Sequence, residues 1–435
     1  MRSQTLAGLD IGTTKTCAVV AANGPAGLEI IGVGEAPSTG LRRGVVTDLE
    51  ETVKAIEAAT ERAERMAGVA ISQVYVGVTG EHIQSTNNRG IVAVSGEERE
   101  VVHADVRRVL DASKIINLAA DRQIIHALPR HYTVDGHEGV TDPVGMSGGR
   151  LEVETHIVTG GATFIANVLK CVHRAGLEPA GLVFEPLASS AATLLPEEKH
   201  VGVILLDIGG GTTDIAVYVG GGAIHTGTLP IGGNILTNDI ALGLKTNFAE
   251  AETVKRTYGS AAKFELGDET SFSVKTLDGR NSRMVTTQEL RAIIEPRMTE
   301  LFRMARAHIA EHVARDQILG EVVLTGGGAR LSGIDAAASD IFGLPTRIGY
   351  PSTLAGLNDA VKQPEYATAV GLVIFGPKIT SPTAVAYSGC LTASFSPAIV
   401  EGYPMRVGRP KMSLAAASIP PRRAPPPVKT TSPKI

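Results

Sequence analysis

An internal repeat constrains this chain more than any other feature. The segment Leu9-Asp10-Ile11-Gly12-Thr13-Thr14-Lys15-Thr16-Cys17-Ala18-Val19-Val20 returns far along the chain as Leu206-Asp207-Ile208-Gly209-Gly210-Gly211-Thr212-Thr213-Asp214-Ile215-Ala216-Val217. Each copy is an apolar strand ending in Asp, a Gly/Thr turn and a second apolar strand, which is the pattern of a β-hairpin. Two copies of one hairpin point to two related halves.

The turns have a definite chemistry. Gly12, Gly209, Gly210 and Gly211 let the backbone approach a ligand, and successive N–H groups in such a turn form an anion-binding concavity. Thr13, Thr14, Thr212 and Thr213 offer hydroxyl donors, and Lys15 adds a point charge for phosphate. Asp10 and Asp207 are expected to face one space, where two carboxylates hold Mg²⁺ through the waters it retains. A third element, Val322-Val323-Leu324-Thr325-Gly326-Gly327-Gly328-Ala329-Arg330-Leu331, runs from an apolar strand through Gly326, Gly327 and Gly328 toward a helix. A glycine turn at a strand end lets a base or ribose lie on the backbone while N–H groups face a phosphate.

In this order the three elements resemble the actin, Hsp70 and sugar-kinase superfamily, whose two halves clamp ATP. The resemblance implies an α/β, actin-like (ribonuclease H-like) two-lobed ATPase fold. It makes the hairpins the two phosphate loops and the glycine turn the adenosine contact. Glu185-Pro186-Leu187-Ala188-Ser189-Ser190-Ala191 and Glu365-Tyr366-Ala367-Thr368-Ala369-Val370-Gly371-Leu372 resemble the two connecting helices. Ala251-Glu252-Thr253-Val254-Lys255 resembles the segment that cradles adenine, through Glu252 and Lys255. Glu185 stands where relatives place a carboxylate that positions the attacking water. As a helix N-terminal Glu it also suits the helix dipole, so slow hydrolysis and ATP as structural glue both stay open.

Within the superfamily the chain resembles the FtsA family of bacterial cell division proteins from about Leu6 to Phe375. The likeness lies in His82-Ile83-Gln84-Ser85, Asp121 to Pro129, Asp142 to Glu152, and Gly232-Gly233-Asn234 followed by Thr237 to Ala241. It implies a small α/β insert in the first lobe, head-to-tail self-assembly, and binding of the C-terminal peptide of the tubulin-like protein FtsZ. It also implies recruitment of other division proteins and a cytoplasmic, peripheral location on the membrane at the septum. The alternative function is an actin-like ATP-binding scaffold of another assembly, such as a type IV pilus, without membrane anchoring.

Composition agrees. A chain of 435 residues suggests two to four domains at about 100–200 residues each. The net charge of −4 gives no reason to expect nucleic acid. Cys17, Cys171 and Cys390 form no CxxC pair, which argues against zinc or a disulfide framework and for a reducing cytosol. No apolar run approaches the roughly 20 residues of a spanning helix, so the expected protein is soluble.

The expected organisation is a first lobe of residues 1–83, 161–200 and about 360–376, with an insert at 84–160. The second lobe takes 201–234 and 295–359, with its own insertion at 235–294 on the adenine side, where the FtsZ peptide is expected. An amphipathic helix is predicted over Asp48 to Met66 and another in the insert over Asp105 to Leu118, with Val106, Val109, Leu110 and Ser113 on one face. His126 and His131 lack ligand partners at metal spacing and are expected as solvated or core residues. Residues 377–435 are rich in Pro, Ser and Ala and expected to be disordered. Eight Lys and Arg against Glu401 make this stretch +7, leaving −11 for the rest. Its nearest candidate for an amphipathic helix, Lys411 to Ile419, is confined between Pro410 and Pro420. Either the tail's charge tethers it to an anionic membrane or it is a solvated linker.

Overall fold

The first hairpin seeds a six-stranded sheet in the order Glu178–Phe184, Gln73–Val78, Thr5–Ile11, Lys15–Gly24, Gly27–Pro37, Ala355–Gly356. The second seeds a five-stranded sheet in the order Gly222–Leu229, Thr213–Val219, Val203–Ile208, Val322–Thr325, Thr346–Ile348. In both, three successive antiparallel strands stand beside two parallel ones. Even the register repeats, with Asp10 opposite Cys17 and Asp207 opposite Asp214. This computed structural model describes residues 5–24, 27–95, 97–261, 270–352, 354–356 and 358–380. All of them fall within one unit, 1–391. Cys390 and the charged tail beyond Thr380 lie outside the described residues.

The strands nearest the cleft read as continuous apolar runs because both their faces are covered: every residue of Val203–Ile208 is buried. Helix Leu49–Ala67 follows the expected span, with the Asp48 carboxylate accepting from the Glu51 N–H at 3.1 Å and Gly68 closing the helix at φ 69°. Val53, Ile56, Ala59 and Ala63 turn its apolar stripe into the first core.

Two helices join the lobes, Glu185–Thr193 and Ala367–Thr380. They meet at small residues, and a Cβ on Gly371 would be driven into the Ala188 carbonyl. The second helix runs through Pro377 to Thr380. Its first turn is preceded by a 3₁₀ turn, Pro364–Tyr366.

The insert is a four-stranded sheet, ordered Gln84–Ala93, Arg150–Gly161, Arg122–Val134, His137–Val140, against one helix. That helix spans His103–Ser113, so the prediction to Leu118 is too long. Asn88 Nδ2 donates to the Ser113 and Ile115 carbonyls at 2.8 and 3.2 Å, satisfying helix-end acceptors that would otherwise need further turns. Val109, Leu110 and Ser113 are buried as the periodicity implied.

The insert also touches the second lobe, through a partly buried polar latch. Ser85 Oγ donates to the Thr226 carbonyl at 2.7 Å, and Asn87 Nδ2 to the Ile224 carbonyl at 2.9 Å. Buried His156 lies 2.7 Å from Asn87 Oδ1 and 2.9 Å from Thr226 Oγ1. Burial pushes His156 down to about 3, so it is neutral at physiological pH. His126 is likewise buried and neutral, its Nε2 accepting from the Phe184 N–H at 2.9 Å. It is a core histidine. No described helix is long and apolar enough to cross a membrane.

The hinge contact makes a clear forecast. Alanine favours an isolated helix over glycine by about 1 kcal/mol, yet Gly371→Ala must force the two connecting helices apart. Overpacking of this kind costs about 1–3 kcal/mol, so thermal unfolding should show a lower Tm for Gly371→Ala than for the parent chain.

Candidate functional site

Between the lobes lies a cleft of about 880 Å³, within the roughly 300–1,000 Å³ range of ligand pockets. The two hairpins meet across it. A Cβ on Gly210 would strike Thr14, and one on Gly211 would meet Thr13 Oγ1 at 2.6 Å, so glycine is what permits their approach. Each turn is closed by one backbone bond, Gly12 N–H to the Lys15 carbonyl at 3.0 Å and Gly209 N–H to the Thr212 carbonyl at 2.9 Å.

Asp10, Gly12, Thr13, Thr14, Lys15, Asp207, Gly209, Gly210, Thr212, Glu185, Glu252, Lys255, Gly326, Gly327 and Gly328 all line the cleft. Gly211 and Thr213 are not among its lining residues. Thr213 is fully buried and donates to the Ile231 carbonyl at 2.8 Å. Glu252 and Lys255 form an ion pair at 2.7 Å, and Lys255 Nζ also reaches Thr237 Oγ1 at 2.8 Å and the Gly233 carbonyl at 3.2 Å. This ties the helix Phe248–Tyr258 to the start of the helix Gly233–Leu244. Gly326 adopts φ 81°, where a side chain would also meet Asp207 and the Ile208 carbonyl. Leu236, Met298, Leu301 and Leu331 give the same end of the cleft an apolar wall.

Carboxylates dominate the floor. Burial pushes Asp10 up to about 7, the Lys15 charge opposing this and Asp207 adding to it. Burial also raises Asp207, against the hydrogen bonds from Thr368 and Ser189. Glu185 is raised by burial and then by Asp10, Asp214 and Asp207. Asp214 was not foreseen, although the repeat places it in register with Cys17; burial takes it to about 7 despite bonds from Thr228 and Thr79. Cys17 is packing, buried and pushed up to about 12.

Two of these carboxylates are held from across the cleft. Thr79 Oγ1, in the first lobe, donates to Asp214 Oδ1 at 2.5 Å, and Thr228 Oγ1 adds a bond to the same oxygen at 2.6 Å. Thr368 Oγ1 of the second connecting helix donates to Asp207 Oδ2 at 2.9 Å. Among the described residues no three of His, Cys, Asp or Glu form a metal cage. Separate carboxylates around a cleft instead suit a hydrated Mg²⁺ that takes its remaining ligands from phosphate.

The sequence matches the family described as "Cell division protein FtsA" over residues 204–371, and "SHS2 domain inserted in FTSA" over residues 80–159. The Pseudomonas aeruginosa cell division protein FtsA is 42% identical over 374 residues, covering 85% of this chain and 89% of its own. The chain belongs to the FtsA family of cell division proteins. FtsA of Escherichia coli (strain K12) is 39% identical over 377 residues, covering 85% and 89%. FtsA of Bacillus subtilis (strain 168) is 39% identical over 367 residues, covering 84% and 82%. Among solved structures, a PilM-PilN type IV pilus biogenesis complex matches with TM-score 0.62 at 20% identity, covering 87% of this chain and 99% of that one. MreB5 of Spiroplasma citri bound to ADP matches with TM-score 0.52 at 16% identity, covering 87% and 97%. The fold is actin-like, with the FtsA-type insert in the first lobe.

The raised carboxylates fix a pH dependence. A group that binds its proton more tightly in the folded state stabilises the fold below its unfolded pKa and loses that contribution as pH rises through the folded value. For Asp10 the window runs from about 4 to about 7. Without nucleotide or divalent ions, Asp10→Asn should raise Tm by about 2 °C at pH 8. Thermal scans at pH 5, where Asp10 is already protonated, should show the difference shrinking toward zero.

Proposed function

We propose that this FtsA-family chain binds ATP with Mg²⁺ in the interlobe cleft, assembles head to tail, and links the FtsZ ring to the cytoplasmic membrane at the septum, recruiting later division proteins. The observation that carries the nucleotide reading is the pair of equivalent hairpins meeting across one cleft, an aspartate from each on its floor. With the Gly12 and Gly209 N–H groups closing the turns, the backbone N–H of Gly210, the Thr13, Thr14 and Thr212 hydroxyls and Lys15 would take the phosphates. The Gly326–Gly328 turn, the Glu252–Lys255 pair and the apolar wall would take the nucleoside. Mg²⁺, when bound, would offset the phosphate charge from a position held by Asp10 and Asp207 through water.

Glu185 would orient the attacking water. Its buried place facing Asp10, Asp214 and Asp207 supports this reading, while as the first residue of its helix it also suits the helix dipole. Single-turnover phosphate release should fall at least tenfold in Glu185→Ala, and an unchanged rate removes the catalytic role and leaves ATP as glue. Because phosphates contact both lobes, nucleotide would favour the closed arrangement only through contacts absent from an open one. The 235–294 insertion is the proposed site for the FtsZ C-terminal peptide. The pilus-type scaffold shares the fold but is not the sequence family to which this chain belongs.

The membrane link rests on the +7 stretch that begins at Pro377. A basic residue near an anionic surface contributes about 1 kcal/mol, screened by salt. Co-sedimentation with anionic vesicles and ATP should pellet the full chain, but not a chain ending at Thr380, and high salt should release it. If neither pellets, the anchoring role is lost and an adaptor role replaces it.

A further inference from the structure

Lys15 is engaged before any ligand arrives. Its Nζ lies 3.2 Å from Glu35 Oε2 and 3.8 Å above the centroid of the Tyr366 ring. Tyr366 Oη donates to that same Glu35 oxygen at 3.0 Å. The three groups come from separate pieces of chain. Lys15 opens the second strand of the first hairpin, Glu35 lies on the neighbouring strand, and Tyr366 ends the 3₁₀ turn that leads into the hinge helix. All three line the cleft. The arrangement is supported from outside: Arg62 donates to the Glu35 backbone carbonyl.

We propose that Glu35 is a counter-anion for Lys15 that competes with the nucleotide's phosphates, so that it lowers affinity for polyphosphate ligands selectively and leaves affinity for the nucleoside alone. This rests on the reading of the cleft as an ATP site. An ammonium is a compact charge on a flexible stem with three donors, so it can turn from one anion to another without moving backbone. Glu35 is fit to be that first anion because it remains ionised. Partial burial pushes its carboxyl up, but the Lys15 charge and the Tyr366 hydroxyl outweigh this and hold it below the usual range. Tyr366 fixes the carboxylate oxygen on one side while its ring face receives the cation. A phosphate must therefore draw Lys15 away from an existing pair. The pair is partly exposed, with side-chain exposures of 22% and 47%, so the penalty is moderate. Exposed ion pairs are worth about 0.2–1 kcal/mol, which converts to a roughly 1.4- to fivefold difference in Kd.

The test is competition binding against a fluorescent ATP analogue at low salt with Mg²⁺, using the full chain and unlabelled ATP, ADP and adenosine. Glu35→Gln should tighten ATP roughly 1.4- to fivefold and leave adenosine unchanged. Tyr366→Phe, which removes one bond to Glu35, should shift ATP in the same direction by less. The gain from Glu35→Gln should disappear in a Lys15→Met background, because the effect passes through Lys15. An ATP affinity that is unchanged or weaker in Glu35→Gln overturns the proposal while leaving the nucleotide site intact. A gain that survives Lys15→Met also overturns it, since Glu35 would then act by direct repulsion. A parent chain that binds neither ATP nor ADP removes the nucleotide reading and the proposal together.

Discussion

Four carboxylates, Asp10, Glu185, Asp207 and Asp214, line one cleft, and much of the surrounding structure answers to the cost of burying them. Isolated buried charge is too costly to keep without a proton, a cation or hydrogen bonds. Here the protein supplies hydrogen bonds, two of them across the lobe boundary: Thr79 to Asp214 and Thr368 to Asp207. The boundary is thus polar where a ligand would enter. Away from the cleft it is apolar, since Leu205, Ala216 and Tyr218 of the second lobe pack into the first lobe's core. A cation or a polyphosphate arriving in the cleft changes the charge balance that these cross-lobe bonds now serve.

The hinge and the insert constrain how the lobes can respond. The connecting helices touch backbone to backbone at Gly371 and Ala188, a contact that permits sliding or rotation better than interlocked side chains do. Arg347 of the second lobe fixes the end of the first connecting helix, donating to the Thr193 carbonyl at 3.0 Å and pairing with Glu198 and Glu321 at 2.7 and 3.0 Å. On another side His156, Asn87 and Ser85 bind the insert to the strand Gly222–Leu229. That same strand carries Thr228, which bonds Asp214 in the cleft. Insert and cleft are therefore joined by one strand of the second lobe, and any change of lobe angle must be accommodated at this partly buried polar seam.

Much of this was legible from residues. The duplicated hairpin, the glycine turn and the two small-residue helices follow from local rules about turns, periodicity and close packing. What escaped were partnerships set by tertiary register. Asp214 sits in the repeat itself, yet as a single Asp on an apolar strand it looked like a strand residue until the second sheet placed it in the cleft. Glu35 has no local mark at all, because alternation along Gly27–Pro37 cannot say which residue a lysine on the next strand will meet. The insert helix ended early because of Asn88, a residue on a different element. Thr213 shows the converse: the register makes it the counterpart of Thr16, not of Thr13 or Thr14. Both of these threonines are buried and spend their hydroxyls on the fold, Thr16 on Ser38 at 2.7 Å and Thr213 on the Ile231 carbonyl.

With the register fixed, the differences between the two copies become as informative as the likeness. Position by position, Lys15 corresponds to Thr212 and Cys17 to Asp214. The first copy thus contributes a cation and an inert thiol, while the second contributes a hydroxyl and an additional carboxylate. A symmetric pair of loops would give a ligand no preferred direction. This pair is unequal, with a lysine, Lys15, in one copy and a carboxylate, Asp214, in the other. The repeat makes the two halves of the clamp alike, and the unmatched pairs Lys15/Thr212 and Cys17/Asp214 give it a polarity.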